Sequence, residues 1–409
     1  MKPFVPLFKF LVRRGNFVVI DAQGERHTFG DGQGKPVVMK MIDVTLHKRL
    51  AKNPSLALGE GFMDGTLMPA TGTTLIELLT LLMENELKVS NTMRMKVIRT
   101  IGRWMARWQT MNPLAKARRN VAHHYDLSDE LFDLFLDRDR QYSCAHFAEP
   151  GDTLETAQAR KKQLIARKLL LSPGQRVLDI GSGWGGLGLH LAREHHVDVT
   201  GITLSDNQFA RSNARAAEAG LSNACRFQFR DYRDEYGVYD RVVSVGMFEH
   251  VGIVNYDKFF TRVSHLLNDS GVALIHSIGS FNRAGPSPAW MDKYIFPGAY
   301  VPTLSEVIPA VERSGLKIMD IEIWRLHYAE TLRLWRENFN ANRDAAREMY
   351  DERFCRMWEF YLTACEVGFR IGDLMVFQLQ LAKQQDAVPL TRRYLFDHYA
   401  ADTARQAAE

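Results

Sequence analysis

From residue 177 to about 280, short apolar runs alternate with longer amphipathic stretches, the rhythm of strand, helix and strand that builds a parallel sheet. The predicted strands open at Val177 and then cover residues 197–202, 225–229, 241–245 and 271–275. A helix is predicted over 153–171, with Leu154, Ala157, Leu164, Ile165 and Leu169 at helical spacing before the turn Ser172-Pro173-Gly174. Upstream, strands are predicted at 17–21 and 37–42 around glycine-rich turns, then a short helix within 53–65 and helical spacing at Leu75, Leu78, Leu79 and Leu82. Residues 1–88 therefore read as a small α+β accessory domain. Its first apolar residues, Phe4, Val5, Leu7, Phe8, Phe10 and Leu11, suit a packed terminus better than a surface anchor. Residues 281–335 are aromatic and broken by prolines, with Trp290, Tyr294, Phe296, Tyr300, Trp324, Tyr328 and Trp335. They form either a core-packing cap or a dry apolar channel. Phe354, Met357, Trp358 and Tyr361 recur at helical spacing, residues 374–381 alternate as a late strand, and the tail after Tyr399 is expected to fray.

Charge changes the picture between residues 86 and 126. No acidic residue lies between Glu86 and Asp126, against nine basic ones: Lys88, Arg94, Lys96, Arg99, Arg103, Arg107, Lys116, Arg118 and Arg119. Met93, Val97, Ile101, Trp104 and Trp108 share one helical face, and Lys96, Arg99, Arg103 and Arg107 another. Such a helix, assigned to a linker at 89–120, suits an anionic membrane surface as well as it suits a solvated connector. Nucleic acid is excluded as the preferred partner, because no recognised reader fold accompanies the charge. The chain of 409 residues exceeds one average domain, and its four cysteines show neither metal-ligand spacing nor a disulfide framework, so no metal is expected. A reducing, cytosolic compartment is expected. No apolar run approaches the ~20 residues of a membrane span, and the N-terminus makes a poor signal peptide.

The candidate chemistry gathers at the strand ends. Asp179-Ile180-Gly181-Ser182-Gly183-Trp184-Gly185-Gly186 follows the first strand, and its glycines let backbone approach a ligand closely. Trp184 weakens the dinucleotide fingerprint. The Asp-x-Gly-x-Gly loop resembles that of S-adenosylmethionine-dependent methyltransferases; the bland alternative is a ligand-free turn. The second strand ends in Thr203-Leu204-Ser205 without the usual ribose-binding acid, for which Gln208 is a candidate substitute. Asp231 follows the third strand, where it suits an adenine amine. Glu249 and His250 follow the fourth and His276 the fifth, all toward the same crevice.

Six motifs in order complete a resemblance. His124-Tyr125-Asp126-Leu127, Tyr142-Ser143-Cys144-Ala145, Leu178 to Gly186, Gly201 to Ser205, Phe248 to Gly252 and His327-Tyr328 are similar to the signatures of cyclopropane-fatty-acyl-phospholipid synthases. The resemblance implies an α/β fold: a class I methyltransferase, Rossmann-like seven-stranded sheet with an α-helical and aromatic cap over 121–409, plus the N-terminal accessory domain. It implies that Tyr142, Ser143, Asp179, Gly181, Gly183, Thr203, Leu204, Gln208, Asp231, Tyr232 and Gly246 surround S-adenosylmethionine. It also implies that Cys144, Glu249, His276, Ile278 and Tyr328 hold a bicarbonate ion, with the Ile278 amide, His276 and the Tyr328 hydroxyl donating and Glu249 orienting or accepting. His146 departs from the family, which usually has an aromatic there. The implied reaction is methylene transfer to a cis alkene of a membrane phospholipid. The implied setting is a homodimer, cytoplasmic and peripheral on the inner face of the cell membrane. Competing readings are an alkene C-methyltransferase that leaves a methyl branch or methylene, a small-molecule N-methyltransferase, and a non-catalytic lipid- or cofactor-binding protein.

Overall fold

The computed structural model describes residues 5–90, 127–282 and 284–396. Most of the basic stretch 89–120 and the His124-Tyr125-Asp126 part of the first motif lie outside the described residues. The chain opens with α1 (Val5–Leu11), β1 (Phe17–Ile20), β2 (Arg26–Phe29), β3 (Val37–Met41), α2 (Leu46–Lys52), α3 (Pro54–Met63), β4 (Leu67–Pro69) and α4 (Leu75–Ser90). The four strands form one sheet in the order β2-β1-β3-β4. Phe8 packs its ring 5.3 Å from Phe29 in a buried cluster against which Val5 and Leu11 also pack, whereas Phe10 is exposed. The sequence pattern predicts neither β2, where Arg26, His27 and Thr28 offer no apolar run, nor β4, which is only three residues long.

The larger part continues with α5 (Asp129–Asp133), α6 (Leu154–Leu169), β5 (Arg176–Ile180), α7 (Gly186–His195), β6 (Asp198–Thr203), α8 (Asp206–Glu218), β7 (Cys225–Phe229), β8 (Tyr239–Val245), α9 (Tyr256–Leu266) and β9 (Leu267–Ser280). There follow β10 (Gly285–Pro286), α10 (Ala289–Tyr294), β11 (Tyr300–Val301), α11 (Leu304–Arg313), β12 (Lys317–Trp324), α12 (His327–Ala341), α13 (Arg343–Met349), α14 (Glu352–Arg370) and β13 (Leu374–Ala382). The seven-stranded sheet has the order β12-β13-β9-β8-β5-β6-β7. The strands from β9 to β7 are parallel, and β13 and β12 are antiparallel additions. Val177, Leu178 and Ile180 are buried, as a central parallel strand covered on both faces requires. The chain leaves β5 for β6 and β7, then crosses back to β8 on β5's other side, which opens a crevice at the carboxyl ends of β5 and β8.

Two expectations need correction. The fifth strand does not end at Ile275: β9 runs on to Ser280. Its parallel neighbour β8 stops opposite His276, but β13 keeps bonding to it as far as the Leu374–Ser280 pair. His276 and Ile278 are therefore strand residues, not end-loop residues. The aromatic stretch 281–335 is also not one cap. It contains α11 and the sheet strand β12, whose alternation is broken by an irregularity between Ile318 and Asp320.

The N-terminal elements share a core with the cap. Phe62, Met63, Leu75 and Leu79 belong to the same buried cluster as Trp290, Trp358 and Phe360. Glu60 accepts from Lys293 Nζ at 2.7 Å and from the Tyr294 hydroxyl at 2.9 Å, and Arg353 Nε donates to Asp64 at 2.9 Å. Trp290, Trp324 and Trp335 are fully buried.

Candidate active site

The glycine loop after β5 forms the floor of a cavity. Gly181 has φ +82°, and a Cβ there would stand 2.8 Å from that of Met247, so only glycine fits. Gly183, φ +56°, faces open space. All eleven residues expected around the cofactor line this one cavity, together with Trp184, Arg140, Arg230, Met247 and His250. Thr203 Oγ1 donates to Gln208 Oε1 at 2.9 Å, leaving the amide nitrogen, a pure donor, for a ligand. Asp231 is less free than expected: Arg233 donates to both of its oxygens, each from a side-chain nitrogen at 2.8 Å. Asp179 Oδ2 and Ser182 Oγ are buried with no hydrogen-bond partner among the described residues, and burial pushes the Asp179 pKa up to about 7. Buried polar atoms are normally paired. Two orphans on a concave glycine-rich wall fit a ligand that carries both amino and hydroxyl donors and acceptors.

The segment 141–145 forms another wall, and α6 holds it. Gln158 Nε2 donates to the Gln141 and Ser143 carbonyls at 3.1 and 2.9 Å, and Lys161 Nζ donates to Ser143 Oγ at 2.9 Å. Lys161 is wholly buried, and burial lowers its pKa to about 7 against the opposing charge of Asp137. Across the mouth, Trp184 Nε1 and Asn207 Nδ2 both donate to Asp129 Oδ1, at 2.9 and 2.8 Å, and Arg140 pairs with Asp129 and Asp133 at 2.6 Å. Sequence reasoning missed Lys161, Gln158, Asp129 and Arg140. A signal existed for Lys161: it falls on the apolar face of its helix, between Ala157 and Leu164.

The five residues expected around bicarbonate do not line this cavity. They lie in the apolar region behind its wall. Tyr142 stacks on Trp335 at 5.1 Å, and its hydroxyl is 2.7 Å from that of Tyr361. Cys144 is buried in this same cluster, with Ile278 and Tyr328 packed against it. Burial pushes the Tyr328 hydroxyl and the Cys144 thiol well above their usual pKa, so both stay protonated. The Ile278 amide, expected to donate to the ion, donates to Glu249 Oε1 at 2.6 Å, while Glu249 Oε2 is buried without a partner. Burial pushes the Glu249 pKa up to about 7. His276 is buried, edge-on to Trp324 at 5.1 Å, with its Nδ1 on Gln378. Around this region the chain presents one orphaned acceptor, Glu249 Oε2, and one protonated hydroxyl, that of Tyr328, among aromatic walls; of the donors expected for a small oxyanion, the Ile278 amide is spent on Glu249.

Residues 112–379 match the family model described as mycolic acid cyclopropane synthetase. The cyclopropane-fatty-acyl-phospholipid synthase of Escherichia coli K12 is 36% identical over 353 residues, covering 85% of this chain and 88% of that one. That match is longer than the stretch from residue 112 to the carboxyl terminus, so it takes in part of the N-terminal region. The tuberculostearic acid methyltransferase of Mycobacterium tuberculosis is 40% identical over 283 residues, 66% of each chain. Among solved structures, a mycolic acid cyclopropane synthase complexed with SAH and CTAB superposes with a TM-score of 0.62 at 34% identity, covering 66% of this chain and 99% of that one.

Proposed function

The chain belongs to the mycolic acid cyclopropane synthetase family and is an S-adenosylmethionine-dependent methyltransferase; from that premise we propose that it converts cis double bonds of membrane phospholipid acyl chains to cyclopropane rings. The observation that carries this reading is the single cavity lined by all eleven expected cofactor residues, with Tyr142 in the wall between it and the aromatic region of Glu249 and Tyr328. The phospholipid assignment draws on the length of the match to the E. coli enzyme. The mycolic acid synthase, by contrast, is almost wholly covered by two thirds of this chain.

S-adenosylmethionine supplies, when bound, a methyl group on a positively charged sulfur. Bicarbonate supplies a base. An alkene is a weak nucleophile and its methylated form a cation, so the protein must supply alignment, dryness and a proton acceptor. Thr203, Gln208, Asp179 and Gly181 hold the cofactor in this reading, and Tyr142 and Ser143 set its reactive end. Tyr142, Tyr328, Trp335 and Tyr361 exclude water and turn aromatic faces to a positive charge. Glu249, fixed by the Ile278 amide, orients the anion and takes its proton. The basic residues between Lys88 and Arg119 suit an anionic membrane surface, where the enzyme works as a peripheral homodimer; no helix among the described residues is long and apolar enough to cross a membrane.

The test is incubation with monounsaturated phospholipid vesicles and cofactor bearing a fully deuterated methyl group, followed by mass spectrometry and proton NMR of the released fatty acids. Two deuteriums, no alkene signal and ring protons are expected. Three deuteriums, or a surviving alkene, would establish the branched or methylene product in its place.

A further inference from the structure

A row of polar side chains crosses the sheet among apolar neighbours. Glu322 on β12, Gln378 on β13 and His276 on β9 are successive cross-strand partners, and opposed residues of neighbouring strands share a face. Gln378 and His276 are 1% and 2% exposed. Lys168, equally buried, reaches the row from α6: its Nζ is paired with Glu322 and donates to Gln378 Oε1 at 2.7 Å. Gln378 Nε2 lies 3.0 Å from His276 Nδ1.

Donor types fix the protons. An ammonium only donates, so it takes the amide oxygen of Gln378 and leaves the NH2 to face the histidine. An NH2 only donates, so His276 Nδ1 must accept. Burial, reinforced by the Lys161 and Lys168 cations, holds the His276 pKa well below its ordinary value, and the ring is neutral. A neutral imidazole with an accepting Nδ1 carries its one proton on Nε2.

We propose that Lys168 and Gln378 are positioning residues that fix His276 as an Nε2–H donor, so that the ring offers the site's anion a proton and not a lone pair. Ile278, two residues along the same strand, anchors Glu249, whose second oxygen has no partner. A fixed donor and a free acceptor suit hydrogencarbonate, which has both acceptor oxygens and an O–H. This consequence rests on the bicarbonate reading above; the tautomer does not.

The experiment begins with [15N]histidine-labelled protein and two-dimensional NMR, His276 being assigned by the signal lost in His276→Asn. A neutral ring protonated on Nε2 is expected between about pH 6 and 8. Protonation on Nδ1, or on both nitrogens, overturns the relay. Gln378→Glu places an acceptor against Nδ1 and is expected to move the proton there. Binding of [13C]bicarbonate, read from its line broadening, then weakens roughly tenfold to a hundredfold, the loss of one hydrogen bond to a charged partner. Calorimetric affinity for S-adenosylhomocysteine stays within about twofold, which a general loss of structure would not allow. Should that variant not fold, Lys168→Met frees the amide to turn, and a mixture of tautomers is expected; a single unchanged Nε2–H form overturns the proposal. A switched tautomer with unchanged bicarbonate binding overturns the anion assignment. Wild-type protein with the Nε2–H form but no bicarbonate binding refutes the bicarbonate reading and leaves the relay standing.

Discussion

Glu249 is the residue on which the proposed chemistry turns most sharply with pH. A buried carboxyl at about 7 is protonated below that value and unable to accept a proton. We expect kcat/KM to fall roughly tenfold per pH unit below about 7. In Glu249→Gln this limb should vanish along with about 10²- to 10⁴-fold of the rate, while the Ile278 amide still finds an acceptor. A pH–rate series on both proteins checks this. The stability sign is opposite. The folded state binds this proton more tightly than the unfolded chain, so the contribution to stability is full below about 4.5 and lost as pH rises through about 7. Glu249→Gln should therefore melt higher than wild type above pH 7. His146, the departure from the family, places a smaller planar ring in an aromatic cluster. It stacks on His327 at 4.9 Å and lies 5.0 Å from Trp324, and burial pushes its pKa down to about 4. Its Nδ1 is buried without a partner among the described residues. Removing an unpaired buried polar atom gains about 1–3 kcal/mol. His146→Phe should raise the melting temperature by a few degrees and leave turnover within about twofold, measured by calorimetry and vesicle assay.

At the scale of the element, α6 shows why a regular pattern was read only in part. Its apolar spacing predicted the helix, but Gln158, Lys161 and Lys168 are as buried as the leucines beside them. These three reach, respectively, the 141–143 wall, Ser143 and the Gln378–His276 row. A long side chain on an apolar face reads from sequence as an exception, and its partners lie on strands and loops far along the chain. Strand β9 taught the same lesson: its end is decided by β13, not by its own residues. Helix α3 carries a sharper constraint. A Cβ on Gly59 would enter the indole ring of Trp290, which is buried and cannot swing away. Alanine gains about 1 kcal/mol of helix propensity but overpacks a core contact at a cost of about 1–3 kcal/mol. Gly59→Ala should lower the melting temperature by several degrees; an unchanged or higher value would show that the α3–α10 contact yields freely.

For the whole molecule, the N-terminal elements and the cap form one core, with Phe62 5.9 Å from Phe360. A chain beginning at residue 127 would expose Trp290 and Phe360, and we expect it to aggregate or melt well below the full chain by light scattering and calorimetry. The basic stretch makes a separate prediction from charge alone. Reversing Arg99, Arg103 and Arg107 to Glu should abolish most sedimentation with anionic vesicles, since each basic residue near such a surface contributes roughly 1 kcal/mol; unchanged sedimentation would return that stretch to a connector. Composition and period determined a good deal by themselves, namely the parallel strands from Val177 and the glycine loop, while most of the residues that line the cavity came from the resemblance carried by the six motifs. Those features are local, because a glycine turn and a buried parallel strand are written in adjacent residues. Only the tertiary structure decided the rest. It set the length of β9, placed β12 at the sheet edge, and joined the N-terminal elements to the cap. It also turned the Ile278 amide to Glu249 and put a lysine, a glutamine and a histidine from three separate elements in contact. Each of these depends on which side chains meet across the fold, and the hydrogen-bond partner of a buried polar group is fixed by that meeting alone.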